Sequence, residues 1–227
     1  MCTVTYLPLG NNNFILTSNR DETPLRKTIP PKEYLENGIQ LTYPKDALAG
    51  GTWIGLSEKK RLVCLLNGGF KTHIRKTPYK MSRGIIVKKI LLEEDAVSFV
   101  RTFNFKGIEP FTLILVDWLE DLKTYEFVWD GKIIHFKELA QAPKIWSSSI
   151  LYTKDMKAVR KEWFADFLID KHQFSQEKIL EFHRNENLGT KENSPKMKRA
   201  FVETVSITSV KKENKKVAMV YENVAGS

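Results

Sequence analysis

Cysteine and histidine are scarce in this 227-residue chain, with two of the first and four of the second. Two cysteines, Cys2 and Cys64, make no disulfide framework, and no Cys-x-x-Cys spacing suggests a metal, so neither metal nor cofactor is expected. Four histidines, His73, His135, His172 and His183, leave little room for chemistry that depends on imidazole. Apolar runs long enough to cross a bilayer, which takes roughly 20 residues, are missing. The first ten residues lack a basic segment followed by an apolar stretch, so no secretory signal is expected and the cytoplasm is the expected location. Internal repeats, RNP-type aromatic signatures and zinc fingers are absent too, so nucleic acid is not an expected partner.

What the chain has is an ordinary globular balance, 42% hydrophobic and 28% charged, enough for one domain over residues 1–227 with a buried core. The net charge is +9, with lysine and arginine concentrated in Lys71–Lys89 and Lys196–Lys216. Such a surface attracts phosphates and carboxylates in general, and its plainest form is a solvated basic face.

Hairpin patterns occupy both ends. Cys2–Leu9 and Phe14–Ser18 read as paired strands around Gly10-Asn-Asn-Asn13. Pro24, Pro30 and Pro31 mark Thr23–Gly38 as irregular. Ile39–Tyr43, Thr52–Leu56 and Arg61–Leu66 read as strands, the last two joined by a Ser57–Lys60 turn. Cys64, inside an apolar run, reads as a small buried hydrophobe. Helical spacing follows from the cap Ser82 and again near Glu93. Strands return at Phe111–Val116, Thr124–Trp129 and Lys132–Phe136, with a possible strand end at Ile145–Ser149. Val159, Trp163, Phe167 and Leu168 space a long helix, and Ser175 caps another. A polar loop over Asn185–Lys198 precedes a last hairpin, Phe201–Val210 with Val217–Glu222. Antiparallel hairpins with helices grouped between them favour α+β.

Three features carry chemistry. Removal of Met1 would give Cys2 a free α-amine beside its thiol, so the residue could supply its own base. The thiol pKa, ordinarily near ~8.5, needs only modest lowering. Asn19-Arg20-Asp21-Glu22 follows the second strand, and hairpin pairing would bring it beside Cys2. There a carboxylate could hold the amine, and an arginine could hold a thiolate or a substrate carboxylate. Asn67, ending a buried strand before two glycines, could offer its side chain and the next backbone N–H groups to an oxyanion.

The Met-Cys-Thr start, Ser18-Asn-Arg-Asp-Glu22, Gly50-Gly-Thr-Trp-Ile-Gly55 and Leu66-Asn67 together resemble the NRDE family, also called the transport-and-Golgi-organisation family. That family resembles N-terminal-nucleophile (Ntn) hydrolases, including the penicillin V acylase and bile-salt hydrolase group. The resemblance implies a four-layer αββα sandwich of two antiparallel sheets. It makes Cys2 the nucleophile, Asp21 the holder of its amine and Asn67 an oxyanion donor, with Arg20 assisting. Asn19, Trp53 and Ser148 would line the substrate site. Ser148 stands where the family pattern often has an Asn, and no late-strand arginine occurs in Glu203–Ser209. Two functions fit: a cysteine amidohydrolase acting on an amide or acyl substrate, or a non-catalytic carrier of an anionic hydrophobic ligand such as haem or an acyl conjugate.

Overall fold

A computed structural model describes residues 3–76, 78–169 and 174–226. The chain divides into two compact units, residues 1–25 with 142–227 and residues 26–141. Among the described residues each holds one antiparallel sheet and two helices, so the chain is α+β.

In the first unit, β1 (Thr3–Gly10) and β2 (Asn13–Glu22) form a hairpin. Asn11 and Asn12 both take positive φ, the type I′ geometry that matches strand twist. The sheet runs β10-β1-β2-β11-β12, with β10 at Lys144–Ser147, β11 at Glu203–Glu213 and β12 at Lys216–Asn223. Helices α3 (Lys154–Ile169) and α4 (Gln176–Arg184) cover one face. Their apolar cluster includes Leu7, Ile15, Phe164, Ile179 and Phe182. Fully burying a side chain of this size contributes about 1.5–3 kcal/mol.

The second unit has the strand order β3-β4-β5-β6-β7-β8-β9. These are Thr28–Glu36, Ile39–Asp46, Ile54–Ser57, Arg61–Asn67, Phe111–Asp117, Lys123–Trp129 and Ile134–Leu139. Its helices are α1 (Arg83–Leu92) and α2 (Ala96–Thr102). Ile86, Val87 and Ile90 of α1 pack with Val63, Leu65 and Leu113 of the sheet. Cys64 points the other way by alternation and is fully buried.

Two sequence expectations are corrected here. Thr23–Gly38 is not irregular throughout, because β3 runs through Pro30 and Pro31. The strand lies at the sheet edge, and its register breaks between Ile29 and Lys32. An edge bulge tolerates the missing N–H groups that a central strand would not. Likewise the second strand does not stop at Ser18 but runs on through Asn19–Glu22, the last four residues of β2, and Asn19, Arg20 and Asp21 are buried.

Candidate active site

A strand ending in Asn-Arg-Asp-Glu can be buried only if other groups satisfy its polar side chains. β2 is central, paired with β1 and β11, and alternation divides its polar residues between two faces. Asn19 and Asp21 face the helices. The Asn19 amide nitrogen donates to the carbonyls of His183 (3.0 Å) and Pro195 (2.7 Å). Its oxygen lies 2.6 Å from His183 Nδ1, and His183 Nε2 lies 2.7 Å from Thr5 Oγ1. Since the Asn19 oxygen only accepts, His183 carries its proton on Nδ1 and accepts from the Thr5 hydroxyl on Nε2. Complete burial, with the Arg160 charge adding to it, pulls the His183 pKa down to about 3.

Asp21 is held at both oxygens. Thr204 donates its hydroxyl to Oδ1 at 2.7 Å, and Tyr152 donates to Oδ2 at 2.8 Å. Behind Tyr152 stands Arg160, a fully buried arginine from α3. Its guanidinium carbon lies 3.8 Å from the centroid of the Tyr152 ring, and Nη2 donates to the Tyr152 oxygen at 3.0 Å. Its Nε donates to the Asn193 carbonyl, Nη2 also to the Ser194 carbonyl and Nη1 to the Thr3 hydroxyl. One arginine thereby ties the first described residue of β1 to the tyrosine that holds Asp21. Thr3 pairs with Asn19 in register, and the residue before it in sequence is Cys2. Cys2 itself lies outside the described residues.

Arg20 alternates to the face away from the helices and is buried. Ser206 stands opposite it on β11, and Thr208 stands opposite Ser18. The hydroxyls of Ser206 and Thr208 are buried without a hydrogen-bond partner. Ser148, just past β10, is buried and accepts from the Ile150 N–H at 3.3 Å. It starts the turn that delivers Tyr152, whose N–H donates to the Ser148 carbonyl.

Trp53 and Asn67 belong to the second unit. Trp53 is buried just before β5, and its carbonyl accepts from the Leu65 N–H at 2.8 Å. The two glycines before it have different reasons: Gly50 takes a positive φ, and a Cβ on Gly51 would lie 2.5 Å from the carbonyl carbon of Gly84 at the start of α1. Asn67 ends β6 and is partly exposed. The Gly68 N–H that follows it donates to the Pro110 carbonyl, so that N–H is not available to an oxyanion. Asn19, Arg20, Asp21 and Ser148 thus share one unit, while Trp53 and Asn67 sit in the other. Among the described residues no group of three or more acidic, histidine or cysteine side chains could hold a metal.

Tyr152, Arg160, His183 and Thr204 escaped the sequence reading. Arg160 falls on the apolar stripe of α3, three, four and seven residues before Trp163, Phe164 and Phe167. His183 occupies the same kind of position, four residues after Ile179. A polar side chain on the buried stripe of a helix is a readable sign of a buried network.

The fold has solved counterparts. A Caenorhabditis elegans ortholog of N-acylethanolamine-hydrolyzing acid amidase matches with a TM-score of 0.62 at 14% identity, covering 92% of each chain. An arginine-to-leucine variant of conjugated bile acid hydrolase from Clostridium perfringens matches with a TM-score of 0.50 at 9% identity, covering 100% of this chain and 95% of that one. At these identities the likeness establishes the Ntn-hydrolase fold and nothing further. No curated protein matches the sequence. A family model described as Transport and Golgi organisation 2 matches residues 1–221, and the chain belongs to that family.

Proposed function

We propose that the chain is a single-domain Ntn-type cysteine amidohydrolase in which Cys2 attacks an acyl-amide substrate. The observation that supports this best is Asp21, buried and held at both carboxylate oxygens two residues past the partner of Thr3. A carboxylate fixed there is suited to orient a nearby α-amine. In this reading Met1 is removed and the amine of Cys2 takes the thiol proton. The thiolate then adds to the acyl carbon and the carbonyl oxygen becomes an oxyanion. Collapse breaks the C–N bond, the departing amine takes the proton from the α-ammonium, and water hydrolyses the thioester to regenerate the thiol. Asn67 is proposed as an oxyanion donor from its place in the family pattern alone. Arg20 is proposed to hold a thiolate or a substrate carboxylate, and Ser148 and Trp53 to bind substrate. Asn19 holds the wall of the site, both ends of its amide being engaged with His183 and Pro195. The acyl-amide substrate class is supported by the name of the first structural counterpart, an amidase.

A thiol-directed acylating probe, followed by peptide mass mapping of the folded protein, tests the reading. Labelling confined to a Cys2 that begins the mature chain is the expected result. Retention of Met1, or a Cys2 that stays unlabelled in the folded protein, overturns it.

A second reading, a carrier of an anionic hydrophobic ligand such as haem or an acyl conjugate, is favoured by the face away from the helices. Buried Arg20 stands there in register with Ser206, whose hydroxyl is unpartnered. Haem titration of the wild type and of Cys2→Ala decides it. Equal binding by both supports the carrier, and an unchanged spectrum in both rejects haem as its ligand.

A further inference from the structure

The basic stretch beginning at Lys71 has no part in the chemistry above. From Gly68 to Arg83 the sequence has no aspartate or glutamate and carries Lys71, Arg75, Lys76, Lys80 and Arg83. Between β6 and α1 this chain forms neither helix nor strand over residues 68–76, and it exposes two large apolar side chains. Phe70 is 58% and Ile74 87% exposed. One exposed apolar residue on a surface is ordinary, and a group of them within one charge sign is not.

The neighbouring turn enlarges the patch. The Phe70 ring meets His135 edge-on, with centroids 4.8 Å apart. His135 lies 2.8 Å from Asp130, which accepts from the backbone N–H groups of Lys132 and Ile133. That turn is thereby fixed beside the loop, and Ile133 at its tip is 59% exposed. The base of the loop is anchored as well. His73 lies 3.3 Å from Glu109, which also pairs with Arg83 at 3.1 Å. Asp130 and Glu109 are therefore already engaged. Among the described residues no carboxylate forms an ion pair with Lys71, Arg75 or Lys76.

We propose that Phe70, Ile74 and Ile133, with the exposed Lys71, Arg75 and Lys76 of the same loop, form a docking surface for an anionic lipid bilayer. The cations are drawn to phosphate headgroups, each changing the partition by about fivefold near such a surface. The phenyl and two sec-butyl groups then enter the boundary between headgroups and acyl chains, as the apolar face of an interfacial segment does. A folded protein partner is less suited to three separate apolar tips carried on a loop and a turn. The attachment is peripheral and reversible, and its electrostatic part weakens with salt.

Vesicle co-sedimentation of the full chain tests this, with phosphatidylcholine alone and with an equimolar phosphatidylcholine–phosphatidylglycerol mixture. Binding to the anionic vesicles and little to the neutral ones is expected. The triple variant Lys71→Gln, Arg75→Gln, Lys76→Gln lowers that partition by about a hundredfold. The double variant Phe70→Ser, Ile74→Ser keeps the initial electrostatic attraction and loses the binding that survives added salt. All five side chains are solvent-exposed, so both variants are expected to fold, and an unchanged thermal midpoint verifies it. Equal binding to both vesicle types, or anionic binding that neither variant reduces, overturns the proposal. Retention of single-stranded RNA by the wild type, undiminished in the Phe70/Ile74 variant, with no vesicle binding, reassigns the patch to nucleic acid and also overturns it.

Discussion

Tyr152 donates its hydroxyl proton to Asp21 at 2.8 Å across 131 positions of sequence. The same phenol oxygen accepts from Arg160 at 3.0 Å, so the donor that holds Asp21 is itself polarised by a buried cation. In Tyr152→Phe the ring stays beneath the guanidinium, while Asp21 loses one donor and Arg160 one acceptor. Two buried groups left short of a partner predict a stability loss of about 2–4 kcal/mol, read by urea denaturation. If Asp21 orients the Cys2 amine, the pH profile of Cys2 labelling also shifts in this variant. A purely structural tyrosine would leave that profile where it is.

His183 sets a pH dependence whose sign is fixed. Folded, its pKa is held down at about 3, first by burial and then by the Arg160 charge. Unfolded, it returns to an ordinary value near 6.5. Between these values the unfolded chain takes up a proton that the folded chain refuses. Its share of stability is therefore complete above about 6.5 and falls with pH by up to about 1.4 kcal/mol per unit. In His183→Gln, stability measured by denaturation from about pH 7 down to about pH 4.5 falls less steeply than in the wild type. Parallel curves would remove His183 from the acid response.

Gly51→Ala tests the close approach of the Gly-Gly turn to α1. The new Cβ would lie 2.5 Å from the Gly84 carbonyl carbon, and backbone cannot swing aside as a flexible side chain can. Overpacking of this kind costs about 1–3 kcal/mol, visible as a lowered thermal midpoint. An unchanged midpoint would mean that α1 moves away without penalty.

Arg61 closes the end of α1. It is buried, and its guanidinium donates to the carbonyls of Glu93 at 2.6 Å and Glu94 at 2.9 Å, with Asp117 3.4 Å from Nε. A cation near the last carbonyls satisfies orphan acceptors and complements the helix dipole. Arg61→Leu leaves those acceptors and the partly exposed Asp117 without it, and a loss of about 1–3 kcal/mol in chemical denaturation is expected. Arg61→Lys is expected to recover the charge but only part of the loss, because an ammonium cannot match the planar fork.

Local rules were enough for much of the architecture. Ser82 and Ser175 cap α1 and α4 as expected, each accepting an N–H from the first turn. The Asn11-Asn12 hairpin and the apolar strands of the second unit follow from turn chemistry and burial patterns. Pro30 and Pro31 misled because a proline can sit at an edge bulge, and edge position depends on topology. The end of β2 was hidden for a related reason. Four polar residues look like solvent-facing chain until Tyr152, Arg160, His183 and Thr204 are brought to them from more than 130 residues away. Those partners belong to the tertiary fold, so the polar site was legible in its residue types and not in its surroundings.

The order of strands has a consequence for synthesis on the ribosome. β2 is completed by β11, yet 180 residues separate the end of one from the start of the other, and the second unit is made in between. During translation the strand carrying Asn19, Arg20 and Asp21 waits with one edge unpaired until the last stretch of chain emerges. Unpaired edges invite pairing with other nascent chains. A polar, charged ending to β2 is a poor template for such pairing. The tetrapeptide proposed for chemistry in the folded protein would then also guard the growing chain before its partner strand exists.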